Sequence, residues 1–228
     1  MLPGRWCPSL KDSTAGPRRS AEEPVKREPY PKRKTMSALS VPFKKQISID
    51  ACSVAAFEMV YRYFHPSALS KFSQQKTFRM LTEKEPHGSG NLRVSSDKLT
   101  TYARQRNFKS GWGRVSRDQA EAITQLNYFL ETSKIPVIAC QRYTDEWPLI
   151  GHFRVIFGIE GSDVLLHDPA FGPDQRWPIE KMLDYWRPTG ENVTGGVVIW
   201  IARQELEHIP VRIEPNPWLS DRWQPKPV

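Results

Sequence analysis

At 228 residues and 39% hydrophobic composition the chain suits one medium domain with tails and a buried core. It has no run of about 18 apolar residues, so a transmembrane helix is not expected, and the N-terminus lacks the apolar centre of a secretory signal. Three widely spaced cysteines, Cys7, Cys52 and Cys140, make no zinc-ligand spacing and leave an odd thiol, which points to a reduced, cytoplasmic compartment.

The net charge of +8 is unevenly placed. Residues 1–35 hold nine Lys/Arg against four Asp/Glu, so +5 of it falls there. Residues 1–37 are rich in Pro, Ser, Lys, Arg and Glu and lack apolar periodicity, and they read as a disordered basic tail. Solvation is the simplest role for such a tail; contact with nucleic acid or an anionic surface is the alternative that its charge allows.

A folded domain is expected over 38–204. Ser40 to Lys45 is extended and leads into a loop at Gln46. From Cys52 to Phe64 the spacing of Ala56, Met59, Val60, Tyr63 and Phe64 predicts a helix with one apolar face. Glu58 and Arg62, four apart on another face, are expected to pair in solvent. His65-Pro66 stops the helix. A second helix is expected over 67–81, anchored by Leu69, Phe72, Phe78 and Leu81. A turn follows at Pro86–Gly90, then a third helix capped by Ser95 or Ser96 with Leu99, Tyr102 and Ala103 inward, ending at Asn107. Phe108 to Val115 reads as a short strand.

Ser116 and Gln119 have capping-box spacing and predict the start of a fourth helix. Ile135 to Cys140 is a short, wholly apolar buried strand. His152 to Ile159 alternates, with Phe153, Val155, Phe157 and Ile159 on one face. It turns at Glu160-Gly-Ser-Asp163 and returns through Val164 to Asp168. A short strand and helix through Trp177 and Trp186 follow, then a last strand, Gly195 to Ile201. Residues 205–228 read as an irregular tail containing Pro and Trp. Helices followed by a consecutive antiparallel sheet make an α+β order. No phosphate-binding glycine loop occurs.

Chemistry centres on Cys52. A thiol in the first turn of a helix feels the positive end of the macrodipole and unpaired backbone N–H groups, both of which favour thiolate. The bland reading is a small buried hydrophobe, as Cys140 is read to be. A nucleophilic cysteine needs an imidazole and a group to orient it. His152 begins one strand of the hairpin and Asp168 ends the other, so both sit at its open end. They share a face only if the loop is of odd length or the ladder carries a bulge around Gly161-Ser162; a strict two-residue turn would separate them. His167 is the nearest rival base and should point to the other face. His65, His87 and His208 lie in a helix stop, a loop and a tail. Gln46 could aim its amide at the same point and, with the Cys52 backbone N–H, form an oxyanion hole.

In order and spacing, these pieces resemble the papain-like bacteriocin-processing (double-glycine leader) peptidases and their stand-alone relatives. The matching pieces are Gln46…Cys52 and its helix, Gly88-Ser-Gly90, Ile135-Pro-Val-Ile138, His152-Phe-Arg-Val-Ile-Phe-Gly158, Val164…Asp168-Pro169 and Trp186. The resemblance spans about 40–202 and implies a papain-like fold. It also implies a nucleophile at Cys52, a base and acid at His152, an orienting carboxylate at Asp168 and an oxyanion donor at Gln46. Ala51 and Ser53 depart from the Asp and Gly that usually flank the family's cysteine, which bears on substrate choice. No transporter domains follow, so leader cleavage during export is not implied directly. The expected activity is hydrolysis of a peptide or protein substrate, with no metal or organic cofactor needed. A thiol acyltransferase or deamidase on the same residues, or a catalytically silent peptide-binding module, are the alternatives.

Overall fold

A computed structural model of the protein describes residues 38–67, 72–84, 92–145, 150–186 and 195–212. The expectations placed on 1–37, on Leu69, on the turn at Pro86–Gly90 with His87, and on 213–228 of the C-terminal tail lie outside these residues.

Among the described residues, five helices and a six-stranded sheet make an α+β fold. Helix α1 spans Cys52–Phe64, α2 Gln74–Leu81, α3 Ser96–Arg104, α4 Gln119–Asn127 and α5 Ile179–Trp186; a π-helical turn, Tyr128–Thr132, extends α4. A two-residue ribbon pairs β1 (Glu83–Lys84) with β2 (Leu92–Arg93). The main sheet contains β3 (Lys109–Arg114), β4 (Val137–Arg142), β5 (Gly151–Glu160), β6 (Asp163–Asp168), β7 (Gly172–Pro178) and β8 (Val197–Ala202). Its order is β3-β8-β4-β5-β6-β7, and each neighbouring pair is antiparallel. The sheet is therefore not built consecutively. β3 comes from the helical half, and the last strand, β8, inserts between β3 and β4. After β8 the chain returns to β3, where Arg212 pairs with Arg114 and Val211 is buried.

Period-2 alternation gives the sheet two apolar faces. Ile138 and Cys140 of β4, Phe153 and Val155 of β5 and Ile199 of β8 pack with α1, α2 and α3. Val137, Ala139, Ile156, Val198 and Trp200 pack with α4, the π turn and α5. Helices thus cover both faces. Helix α1 is buried continuously from Cys52 to Val60, not along a single stripe. Such a helix lies inside the molecule.

Burial on all sides also changes Glu58 and Arg62. They form a buried ion pair at 2.6 Å instead of a solvent pair. The second Glu58 oxygen accepts from Gln74 Nε2 at 2.7 Å, and the same amide donates to the Lys45 carbonyl at 3.0 Å. Removing two charges from water is offset only when their remaining hydrogen-bonding sites are filled, which Gln74 helps to do. Helix α2 starts later than the periodicity suggests, because the Ser73 hydroxyl accepts from the Lys76 N–H and caps it. Helix α4 is capped by Asp118, which accepts from the Glu121 N–H at 2.9 Å; Ser116 instead accepts from the Asp118 N–H. Of the two serines before α3, Ser95 is the cap.

The β5–β6 hairpin decides the site. Its loop is a strict two-residue turn, Gly161-Ser162, with Glu160 facing Asp163 and Gly161 at φ +63°. That turn alone would put His152 and Asp168 on opposite faces. A bulge reverses the parity four residues before the turn: Gly158 faces Leu165 but Ile156 faces Leu166, so Phe157 is the extra residue. The carbonyl of Phe157 accepts from the Leu39 N–H at 2.9 Å. A side chain on Gly158 would come within 3.2 Å of Ala38. The bulge also moves Ile159 off the face of Phe157 and into the α5-side core, against the simple alternation.

Candidate active site

Cys52 opens α1, where Ala51 supplies no side-chain cap. The first-turn N–H groups therefore face the thiol, and the Ser53 N–H donates to the sulfur; the Phe153 N–H of β5 donates from the other side. The thiol is buried and hydrogen-bonded to His152.

His152 is the second residue of β5 and lies beside the start of α1. Its Nε2 meets Asp168 Oδ1 at 2.8 Å, which leaves Nδ1 for the sulfur. The ring also packs against Tyr143, with centroids 4.8 Å apart. Asp168 ends β6 and is fully buried. Its Oδ1 accepts from the Ala170 and Phe171 N–H groups at 2.8 and 3.1 Å, and its Oδ2 accepts from Arg154 Nε at 2.6 Å. The backbone around Pro169 thus closes into an Asx-type turn that aims the carboxylate.

Charge follows this geometry. Burial alone pushes the Cys52 thiol up; the charge of His152, its hydrogen bond, and the Phe153 and Ser53 N–H groups outweigh it and hold the thiol below its ordinary 9.0. For His152, burial opposes the charged ring, but Cys52 and Asp168 raise it above 6.5. Asp168 is held at about 2, burial being outweighed by the hydrogen bond and charge of His152, by Arg154 and by the Ala170 N–H. Both shifts run toward a thiolate–imidazolium pair backed by a carboxylate. Cys140, on the same side of the sheet, is pushed up to about 12 by burial and by the nearby Cys52, so it stays a thiol.

Gln46 is anchored beside this group, because its backbone N–H donates to the Pro169 carbonyl at 3.1 Å. Its side-chain Nε2 donates to the Ile49 carbonyl at 3.1 Å, across the loop that enters α1. That bond uses one amide hydrogen and leaves the second.

The rival histidines are placed elsewhere. His167 Nε2 donates to the Val41 carbonyl at 2.8 Å and its Nδ1 accepts from the Asp174 N–H at 3.0 Å, which defines a neutral ring on the far side of β6. His65 packs on Phe108 and His208 on Tyr128.

Arg154 is the residue that pattern reading passed over. One step beyond the Val155–His167 pair it comes level with Asp168, on the same face as His152. It is 1% exposed, in spite of its charge. Its position in His152-Phe-Arg154 was the available signal: period 2 puts residues 152 and 154 on one face.

The residues 38–194 match the model of the peptidase C39-like family. No curated protein matches the sequence significantly. Among solved structures, the chain is similar to a C39-like peptidase from Bacillus anthracis, at 16% identity and TM-score 0.55, covering 76% of this chain and 100% of that one. It is similar also to the peptidase domain of Streptococcus ComA, a bifunctional ABC transporter of a quorum-sensing pathway. There the identity is 18% and the TM-score 0.51, over 71% of this chain and 97% of that one. These likenesses establish the fold.

Proposed function

The chain belongs to the peptidase C39-like family, and from that premise we propose that it is a cysteine peptidase in which Cys52, His152, Asp168 and Gln46 carry the reaction. The observation that supports this most is His152, held on the buried Asp168 at 2.8 Å, acting on the buried Cys52 thiol at an uncapped helix N-terminus.

In this reading the Cys52 thiolate attacks the carbonyl carbon of a peptide bond. The charge that develops on the carbonyl oxygen is met by the Cys52 backbone N–H and the second amide hydrogen of Gln46. His152, already protonated, gives its Nδ1 proton to the leaving amine, and the acyl group stays on sulfur as a thioester. A water then loses a proton to His152 and attacks the thioester, which releases a carboxylic acid and restores the ion pair. Asp168 keeps the imidazole in orientation through Nε2. We assign this activity to the domain of residues 38–204, acting on a peptide or protein substrate.

The test is a cleavage profile of a complete proteome digested with wild type and with Cys52→Ala. New N-termini should appear with the wild type alone. Acyl transfer would instead join the acyl group to an added amine, and deamidation would change Gln or Asn side chains without new termini. An identical profile for the two proteins would end the enzymatic reading.

A further inference from the structure

The role of Arg154 is not covered by the four residues above, and its surroundings define one. All three nitrogens of its guanidinium are engaged. Nε donates to Asp168 Oδ2 at 2.6 Å, Nη1 to the Arg142 carbonyl at 2.9 Å, and Nη2 to the Tyr143 carbonyl at 3.1 Å. Its Cζ lies 4.8 Å from the centre of the Trp177 ring. Two of these anchors are backbone of the segment that carries Tyr143, whose ring packs on His152. The planar fork is thus fixed in place before it meets the carboxylate.

Asp168 Oδ1 already receives three donors: His152, Ala170 and Phe171. Oδ2 has Arg154. We propose that Arg154 is a positioning residue for the site: it grips Oδ2 so that Oδ1 stays aimed at His152, and it places a fixed positive charge behind the imidazole. This rests on the reading of Cys52, His152 and Asp168 as the reacting group.

The charge has a definite sign of effect. A cation favours a nearby thiolate and disfavours a nearby imidazolium, so removing it raises the pKa of both Cys52 and His152. The thiolate–imidazolium window moves to higher pH. Other groups around Arg154 and Asp168 are Cys52 from α1, Cys140 and Arg142 from β4, Tyr143 and Asp145 after β4, and Lys181, Asp184 and Tyr185 from α5. Arg142 is paired with Asp145 and Asp184. Tyr185 donates to Asp145 and is raised above its ordinary value, first by burial, so it is neutral in the relevant range. Cys140 is a thiol throughout. Lys181 lies over the Trp177 ring, 4.4 Å from its centre, and is itself a lasting charge. None of these replaces Arg154 on Oδ2.

Arg154 also lines an open pocket of about 420 Å³ together with Trp177, Tyr185 and Phe171. Truncating the side chain would leave its place reachable by a small guanidinium ion.

The test is the pH profile of Cys52 alkylation by iodoacetamide in the full chain. This reads the thiolate directly and needs no substrate. In wild type, fast alkylation should begin well below pH 8.5. If it does not, the ion-pair reading of Cys52 is wrong and the proposal falls with it. In Arg154→Met the acid limb should move up by roughly half a pH unit or more. Arg154→Lys retains the charge and should keep the limb near wild type. In Arg154→Ala, guanidinium at tens of millimolar, against sodium chloride of equal ionic strength, should return the limb toward wild type. An unmoved limb in a folded Arg154→Met protein would make Arg154 a packing residue only. If Arg154→Met does not fold, the other two decide: a limb displaced in Arg154→Lys, or no effect of guanidinium on Arg154→Ala, overturns the proposal.

Discussion

Cys52 and Cys140 are both buried cysteines next to the same core, yet their chemistry is opposite. The difference is two backbone N–H groups and an imidazole at one of them; at the other, apolar burial and the neighbouring Cys52 outweigh the charge of Arg154. Iodoacetamide at neutral pH should therefore label Cys52 and leave Cys140 unlabelled, as peptide mass mapping would show. Turnover should follow a bell in pH. Its acid limb lies below 9.0, because the folded thiol is lowered, and its alkaline limb lies above 6.5, because the folded imidazole is raised. These limbs belong to the coupled pair and not to either residue alone. The four donors on Asp168 bear on its substitution. Asn has one acceptor oxygen, so in Asp168→Asn the amide NH₂ must face His152 or Arg154. Activity should fall by about 10³- to 10⁴-fold, against about a hundred-fold for Gln46→Ala, which loses one oxyanion donor of two. Steady-state kinetics on one peptide from the proteome profile would compare them; equal, small losses would refute this ordering. Asp168 also ties stability to pH. Its folded pKa of about 2 lies below its unfolded value near 3.8, so it stabilises the fold above that value and loses the effect as pH falls through about 2. The contribution is on the order of 2 kcal/mol.

At the scale of elements, the bulge at Phe157 and the central helix carry the argument. The Gly161-Ser162 turn and the bulge each shift the parity of the hairpin by one, and together they put residues 152, 154 and 168 on one face. Deleting Phe157 removes one shift. Either the strand end rotates and His152 leaves Asp168, or the turn must be rebuilt. The expected result is a chain without fast Cys52 alkylation, and a deletion variant with wild-type labelling kinetics would show that the bulge is dispensable. Helix α1 makes a different prediction. Because Glu58 is buried with Arg62 and Gln74, Glu58→Ala takes away a buried carboxylate that both of them meet. The loss should be about 3–5 kcal/mol by urea unfolding. An exposed i,i+4 pair would lose only a few tenths, so the measurement separates the two environments cleanly.

For the whole molecule, helices on both sides of one sheet leave the start of α1 and the ends of β5 and β6 at a common edge, where the four proposed residues collect. Residues 1–37 were read from composition alone, as a segment too polar to be held by a core. A chain beginning at Met36 should accordingly melt within about 2 °C of the full chain. Salt-dependent retention on heparin should drop in that chain if the basic cluster makes the anionic contacts its charge allows. The C-terminal side behaves differently: ending the chain at Gln204 removes Val211 from the core and the Arg114–Arg212 pairing, and should lower the melting temperature. No helix among the described residues is long and apolar enough to cross a membrane.

Local order in the chain was enough to determine the α+β class, the α1 helix with Cys52 in its first turn, and the β5–β6 hairpin. Each depends on interactions within a few residues, such as a 3.6 or 2.0 period, a proline stop or a two-residue turn, and these leave a mark in sequence. Their order along the chain also carried the family resemblance. Tertiary structure alone decided the rest. Where the bulge falls depends on Leu39 meeting the Phe157 carbonyl, more than a hundred residues away. The insertion of β8 between β3 and β4 rests on pairings with strands far away in the chain. The burial of Glu58 and Arg62 follows from α2 and the Lys45 loop closing over α1, and no local pattern separates that from a solvent pair. Arg154 was hidden for the same reason: a strand arginine reads as an exposed charge until the strand opposite supplies Asp168 and the end of β4 with the residue after it supplies two carbonyls.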